Sequence, residues 1–145
     1  MISKSTPFNE AEESVVQNVI GAAIQVHRVL GPGYLESFYR RAMCAELRAR
    51  RVPFETEVGV KVVYLREVLG THRIDLVVSG LLVVELKAVE RLEGVHRRQV
   101  VSYLKSTGLK VGLLINFNVE LLKHGLQRVV LSPAASRGMA EASSS

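Results

Sequence analysis

The stretch Arg73 to Glu90, RIDLVVSGLLVVELKAVE, constrains the fold more than any other part of the chain. Two runs of Val, Leu and Ile flank Ser79-Gly80, the composition of a buried β-hairpin. Yet Asp75, Glu85 and Lys87 stand inside those apolar runs. A charge at a buried position costs several kcal/mol unless it is paired or holds a metal. The two carboxylates and the ammonium therefore need an explanation that the strands alone do not supply.

The rest of the chain supplies the frame. Asn9 followed by Glu12 has the pattern of a capping box. Val15, Val16, Val19, Ile20, Ala23, Ile24 and Val26 then recur with helical spacing, which predicts a helix to about Leu30. Gly31, Pro32 and Gly33 stop it. A second helix is expected from about Leu35 to Arg50, with Pro53 beyond it. From Val58 the pattern changes to strands: VGVKVVYL, then Leu69 to Val78, then Leu81 to Val89. Glu93 to Thr107 reads as a helix closed by Gly108, and Lys110 to Phe117 as a buried strand. A helical turn near Glu120 to Lys123 and a strand from Leu126 to Leu131 follow. The hairpins should be antiparallel, and the helix between the third and fourth strands implies a parallel crossover pair. Together these describe one mixed α/β domain over residues 1–131, with a small, polar tail at 132–145 expected to be disordered.

Composition narrows the function classes. The chain has 145 residues and 48% hydrophobic residues, enough for one domain with a real core. No run approaches the roughly 20 apolar residues of a membrane span, so no membrane partner is expected. The first residues lack the apolar core of a signal peptide. Cys44 is the only cysteine, which excludes an internal disulfide and a Cys-based zinc site. These points favour the cytoplasm. The net charge of +5 suits a polyanionic partner.

Glu85 and Lys87 are two apart on one strand and share a face, while Leu86 points the other way into the core. An Asp, a Glu and the Leu86 carbonyl suit a hard divalent cation such as Mg²⁺ (or Mn²⁺). The same spacing also suits a solvated ion pair. The turn decides whether Asp75 can join. A strict two-residue Ser79-Gly80 turn pairs Val78 with Leu81 and sets Asp75 against Val84, on the wrong face. A three-residue loop, Ser79-Gly80-Leu81, sets Asp75 against Glu85.

Two helical pairs extend the pattern. In GPGYLESFY, Glu36 and Tyr39 are three apart and share a face. In RRQVVSYLK, Gln99 and Tyr103 are four apart and do the same. With VHRVLGPGYLESFY, RIDLVV, VVELKAVE and GLLINFNVELLKHGLQRVV, these segments resemble the GxxExxY family, a branch of the PD-(D/E)XK nuclease superfamily. The resemblance covers roughly Val15 to Leu131. It implies a PD-(D/E)XK nuclease-like α/β core of αβββαβ type, a mixed sheet flanked by helices. It implies Asp75 and Glu85 as metal ligands, Lys87 as the catalytic lysine, Glu36 as an acidic residue from the preceding helix that supports the metal, and Gln99 and Tyr103 as the pair flanking the site. The Pro of the superfamily motif is absent; Ile74 stands before Asp75.

Arg97, Arg98 and Lys105 are candidates for a phosphate track, and His27 for a further phosphate contact. The expected activity is metal-dependent hydrolysis of phosphodiester bonds in DNA or RNA. The alternative is a non-catalytic module on the same fold that binds nucleic acid or a partner. A second copy of the chain, or another protein, stays open as a further partner.

Overall fold

The computed structural model describes residues 9–131; the expected polar tail lies outside them. Helix α1 runs over Glu10–Leu30 and α2 over Glu36–Ala49. Strands β1 (Phe54–Tyr64), β2 (Glu67–Val78) and β3 (Leu82–Lys87) follow, then α3 (Gly94–Thr107), β4 (Val111–Asn116), a 3-10 turn at Leu122–Gly125 and β5 (Leu126–Val130). The capping box forms at the start of α1: Glu12 N–H donates to Asn9 Oδ1, and Asn9 N–H donates to Glu12 Oε1.

The five strands form one mixed sheet in the order β1-β2-β3-β4-β5. β3 and β4 are parallel, joined through α3, and the other three pairs are antiparallel. The sheet separates two cores. One face packs Leu76, Val78, Leu82, Val84 and Leu86 against α1 and α2. The other packs Ile74, Val77, Val83 and Leu114 against Val100, Tyr103 and Leu104 of α3. Gly112 in β4 lets α3 come close, since a Cβ there would lie 2.6 Å from Val100 Cγ1. Arg128 on β5 donates twice to the Glu13 carboxylate at 2.8 and 2.9 Å, tying α1 to the last strand.

Two boundaries differ from the sequence expectation in a way that shapes the site. β3 stops at Lys87 rather than Val89. Beyond it, Asn116 replaces the ladder, its Oδ1 accepting from Val89 N–H at 3.0 Å and its Nδ2 donating to Val89 carbonyl at 2.9 Å. β1 starts at Phe54 rather than Val58, because Phe54 joins the core beneath α1 and α2. The added residues include Glu57, at φ 50, which falls out of the ladder between the pairs Thr56–Leu76 and Val58–Ile74.

At that same level β2 turns over. Ile74 belongs to the core under α3, while Leu76 and Val78 belong to the opposite core. In a regular strand those even positions would share one face. The register is unchanged across this step, with one residue on each strand, and the residue at the turnover is Asp75, opposite Glu57.

Candidate active site

The hairpin register sets the geometry. Val78 pairs with Leu82, Val77 with Val83 and Leu76 with Val84, so the loop is Ser79-Gly80-Leu81. Ser79 and Gly80 take φ values of 55 and 67, and Leu81 N–H closes the turn on the Val78 carbonyl. The three-residue alternative is therefore the one that forms. The β2–β3 ladder stops after Leu76–Val84. At the next step the Asp75 side chain takes over: its Oδ2 accepts from Leu86 N–H at 2.8 Å. The two strands part there, and Asp75 and Glu85 face the fork between them.

Glu85 is 4% exposed, and Lys87 Nζ lies 3.3 Å from its Oε2. Its other oxygen, Oε1, is buried without a hydrogen-bond partner among the described residues. Burial, then the Asp75 charge, push the Glu85 carboxyl up to about 8 from its ordinary 4.5, against the pull of Lys87. Burial also raises the Asp75 carboxyl, opposed by the Leu86 N–H, Arg40 and Lys87. An unsatisfied carboxylate oxygen next to a second carboxylate, in a site that disfavours their charge, is what a divalent cation would relieve. The oxygen donors also suit a hard ion.

The two helices approach the fork from opposite faces of the sheet. Glu36 opens α2, and its carboxyl is raised by burial first and by the Asp75 charge second. Tyr39 anchors that helix start. It is fully buried and stacks on Phe117 at 4.5 Å. Its hydroxyl donates to the Gly31 carbonyl at 2.6 Å and accepts from Tyr34 N–H at 3.1 Å. The Gly-x-x-Glu-x-x-Tyr spacing thus has a structural logic: the tyrosine fixes the loop that delivers the glutamate. From α3, Tyr103 is buried, with Gln99 one turn before it on the same helix face. Burial and the charges of Glu85, Asp75 and Glu36 raise its phenol, so it stays protonated. His72 packs edge-on against Tyr103 at 4.8 Å.

Not every candidate gathers here. Among the described residues, no three His, Cys, Asp or Glu side chains are grouped closely enough to hold a metal ion. Asp75 and Glu85 are a pair, and Glu36 interacts with them through charge without closing a three-carboxylate cage. His27 is built into the packing of α1: it is 8% exposed, and its Nε2–H donates to the Val119 carbonyl at 2.7 Å. That buried imidazole is already engaged by the fold. Arg97, Arg98 and Lys105 do not form one track. Arg97 turns to β5 and donates to the Arg128 carbonyl at 3.1 Å. Arg98 and Lys105 are exposed and seven residues apart, on a shared stripe of α3 away from its buried face.

One charged residue went unnoticed in the sequence. Arg40 Nη1 lies 3.7 Å from Asp75 Oδ1. The signal was present, because Arg40 is four residues after Glu36 and so shares its helix face.

A family model of the PD-(D/E)XK nuclease superfamily matches residues 13–129. The chain belongs to the PD-(D/E)XK nuclease superfamily. The matched span takes in most of α1, all of α2, β1 to β4 and α3, and β5 up to its last residue, and with them every residue of the fork. No curated protein matches significantly. Two crystal structures of an alkaline exonuclease from Laribacter hongkongensis, one of them in complex with dAMP, are similar in outline. They show TM-scores of 0.46 and 0.45 and identities of 12% and 14%; 89% of this chain is covered in each, and 89% and 87% of theirs.

Proposed function

We propose that this PD-(D/E)XK protein is a metal-dependent nuclease of the GxxExxY branch, its working domain ending near Leu131. The observation that carries the reading is the buried, unpartnered Glu85 Oε1 at the Asp75 fork, with Lys87 against the other oxygen. Asp75 and Glu85, with the Leu86 carbonyl beside them, would hold Mg²⁺ or Mn²⁺. The bound ion would polarise the phosphoryl oxygens as a Lewis acid. Lys87, positioned by Glu85, orients the attacking water and meets negative charge as it develops on the phosphate. Tyr103 keeps its proton and serves as a donor, oriented by Gln99. Glu36 adds negative potential that favours the cation. Burial of Asp75 and Glu85 makes these charges act strongly on one another and on the substrate. Arg98 and Lys105 offer cationic surface to the nucleic acid. No described helix is long and apolar enough to cross a membrane, and the reading places the protein with DNA or RNA in the cytoplasm.

A second reading follows from the Asp75–Glu85 pair, which no third His, Cys, Asp or Glu joins in a metal-holding group among the described residues. In it the fold binds nucleic acid or a partner without cutting. Incubation with single- and double-stranded DNA and RNA in Mg²⁺ or Mn²⁺ separates the two. The nuclease reading expects cleavage of at least one substrate by the parent protein, and none by a folded Lys87→Ala variant at saturating metal. A parent protein that stays folded, takes up Mn²⁺ and cuts none of the panel would support the binding module.

A further inference from the structure

Among the described residues, Arg40 is the helix residue whose cation pairs with a carboxylate of the fork. It projects from the same face of α2 as Glu36 and is 27% exposed at its side chain. Its ion pair with Asp75 is a single contact at 3.7 Å, too long for a hydrogen bond. No other hydrogen bond or ion pair engages it among the described residues. Arg50, near the other end of α2, shows the contrast: it is held by Glu46 at 2.8 Å and by the Gly21 carbonyl at 3.2 Å. The Arg40 guanidinium thus keeps its planar set of donors open, while standing over a carboxylate that a cation would claim.

We infer that Arg40 is a phosphate-binding residue of this site: it balances Asp75 while no metal is bound, and its donors pass to the substrate's phosphate when a divalent cation takes that carboxylate. The inference rests on the nuclease reading and deepens it. The charge balance supports it. Asp75, Glu85 and Glu36, fully ionised around a divalent ion, face Lys87 and Arg40, the two cations that act on both Asp75 and Glu36. That leaves one net positive charge, the complement of one phosphodiester group. Without Arg40 the site would be neutral toward its substrate. His96 also lies near Glu36, and its Nδ1 accepts from Glu93 N–H. Guanidinium also suits a phosphate better than an ammonium does, because its fork reaches two oxygens at once.

The test uses Arg40→Gln and Arg40→Lys in the full chain. Fluorescein-labelled DNA and RNA oligonucleotides are titrated by anisotropy in Ca²⁺ over a series of NaCl concentrations, and Mn²⁺ affinity is read from the melting temperature. Arg40→Gln should weaken oligonucleotide binding about tenfold and make the log–log salt slope shallower by about 0.7–0.9. It should bind Mn²⁺ as tightly as the parent or more so, since it removes a competing cation. Arg40→Lys should restore the salt slope but only part of the affinity. An unchanged salt slope in Arg40→Gln would overturn the inference while leaving the nuclease reading intact. Weaker Mn²⁺ binding, with oligonucleotide affinity fully recovered at saturating metal, would also overturn it, reducing Arg40 to a residue that orients Asp75. A parent protein that binds none of the oligonucleotides would remove both readings together.

Discussion

Asp75 and Glu85 stand one step beyond the last paired residues of the β2–β3 ladder, and the 2.8 Å bond from Leu86 N–H to Asp75 Oδ2 fixes the first of them beside the second. A backbone donor freed by the parting strands is thus satisfied by the carboxylate that the site needs. A buried and a half-buried acid are brought together at the cost of mutual repulsion, and that cost gives the site measurable consequences.

Divalent metal should stabilise the folded chain. The unfolded chain cannot assemble the pair, so binding adds RT ln(1 + [L]/Kd), about 2.7 kcal/mol at a hundredfold excess over Kd. For a domain of this size the melting temperature should rise by several degrees in Mn²⁺ or Mg²⁺ at constant ionic strength. Monovalent salt should not reproduce the rise. Asp75→Asn and Glu85→Gln should both melt higher than the parent without metal and respond little to it. A parent curve indifferent to millimolar Mn²⁺ and Mg²⁺ would count against the pair as a metal site.

The metal-free protein should lose stability as pH rises. The folded Glu85 carboxyl sits at about 8 against an ordinary 4.5. Between those values the folded state holds a proton that the unfolded state has released, so the slope of stability against pH is negative. The raised Asp75 and Glu36 carboxyls act in the same direction. The contribution is fully present below pH 4.5 and gone above about 8. Thermal melts from pH 5 to 9 should show this fall, and Glu85→Gln should flatten most of it. Saturating Mn²⁺ should flatten it too, because the bound carboxylates no longer carry protons.

Lys87 should set the pH at which metal binds. Its ammonium, 3.3 Å from Glu85 Oε2, is the main group lowering the Glu85 carboxyl. Lys87→Ala removes that pull, so Glu85 should release its proton only at higher pH. Mn²⁺ titrations across pH should place the midpoint of metal uptake higher in the variant than in the parent. Coincident profiles would show that the ion pair does not tune the acid.

Tyr39→Phe tests how the loop delivers Glu36. The variant keeps the ring stacked on Phe117 but loses the partner of the Gly31 carbonyl and of Tyr34 N–H. Urea unfolding should show a loss of about 1–3 kcal/mol. Hydrogen exchange at Tyr34 should quicken. An unchanged Tyr34 amide would mean that the loop is held by something else.

Gly112→Ala should destabilise by about 1–3 kcal/mol through overpacking, because the new methyl would meet Val100 Cγ1 and the Leu104 side chain. Adding Val100→Ala should recover part of that loss. A double-mutant cycle by chemical denaturation reads the coupling directly.

Much of this molecule is written in local sequence. The capping pair Asn9–Glu12, the glycines after Leu30 and the break at Gly108 set the helices, because caps and φ preferences act within a few residues. The apolar runs around Ser79-Gly80 set the hairpin, and the even spacing of Glu85 and Lys87 sets their common face. The motif residues also carried the superfamily, which the family model then matched. What local sequence left open was how these pieces meet. The spacing allowed two hairpin registers, and only the packed sheet selected the three-residue loop that aligns Asp75 with Glu85. The turnover of β2 at Asp75 breaks the period of two where the pair with Glu57 drops out of the β1–β2 ladder, so the alternation within β2 does not announce it. His27 and Arg97 look like phosphate ligands in a list of basic residues, yet carbonyls at Val119 and Arg128, brought near by the fold, bind them. Arg40 looks like an ordinary helix cation until Asp75 arrives 35 residues later in the chain. Periodicity and capping are near-neighbour physics and are legible residue by residue; register, desolvation and charge pairing between distant elements exist only once the core has closed.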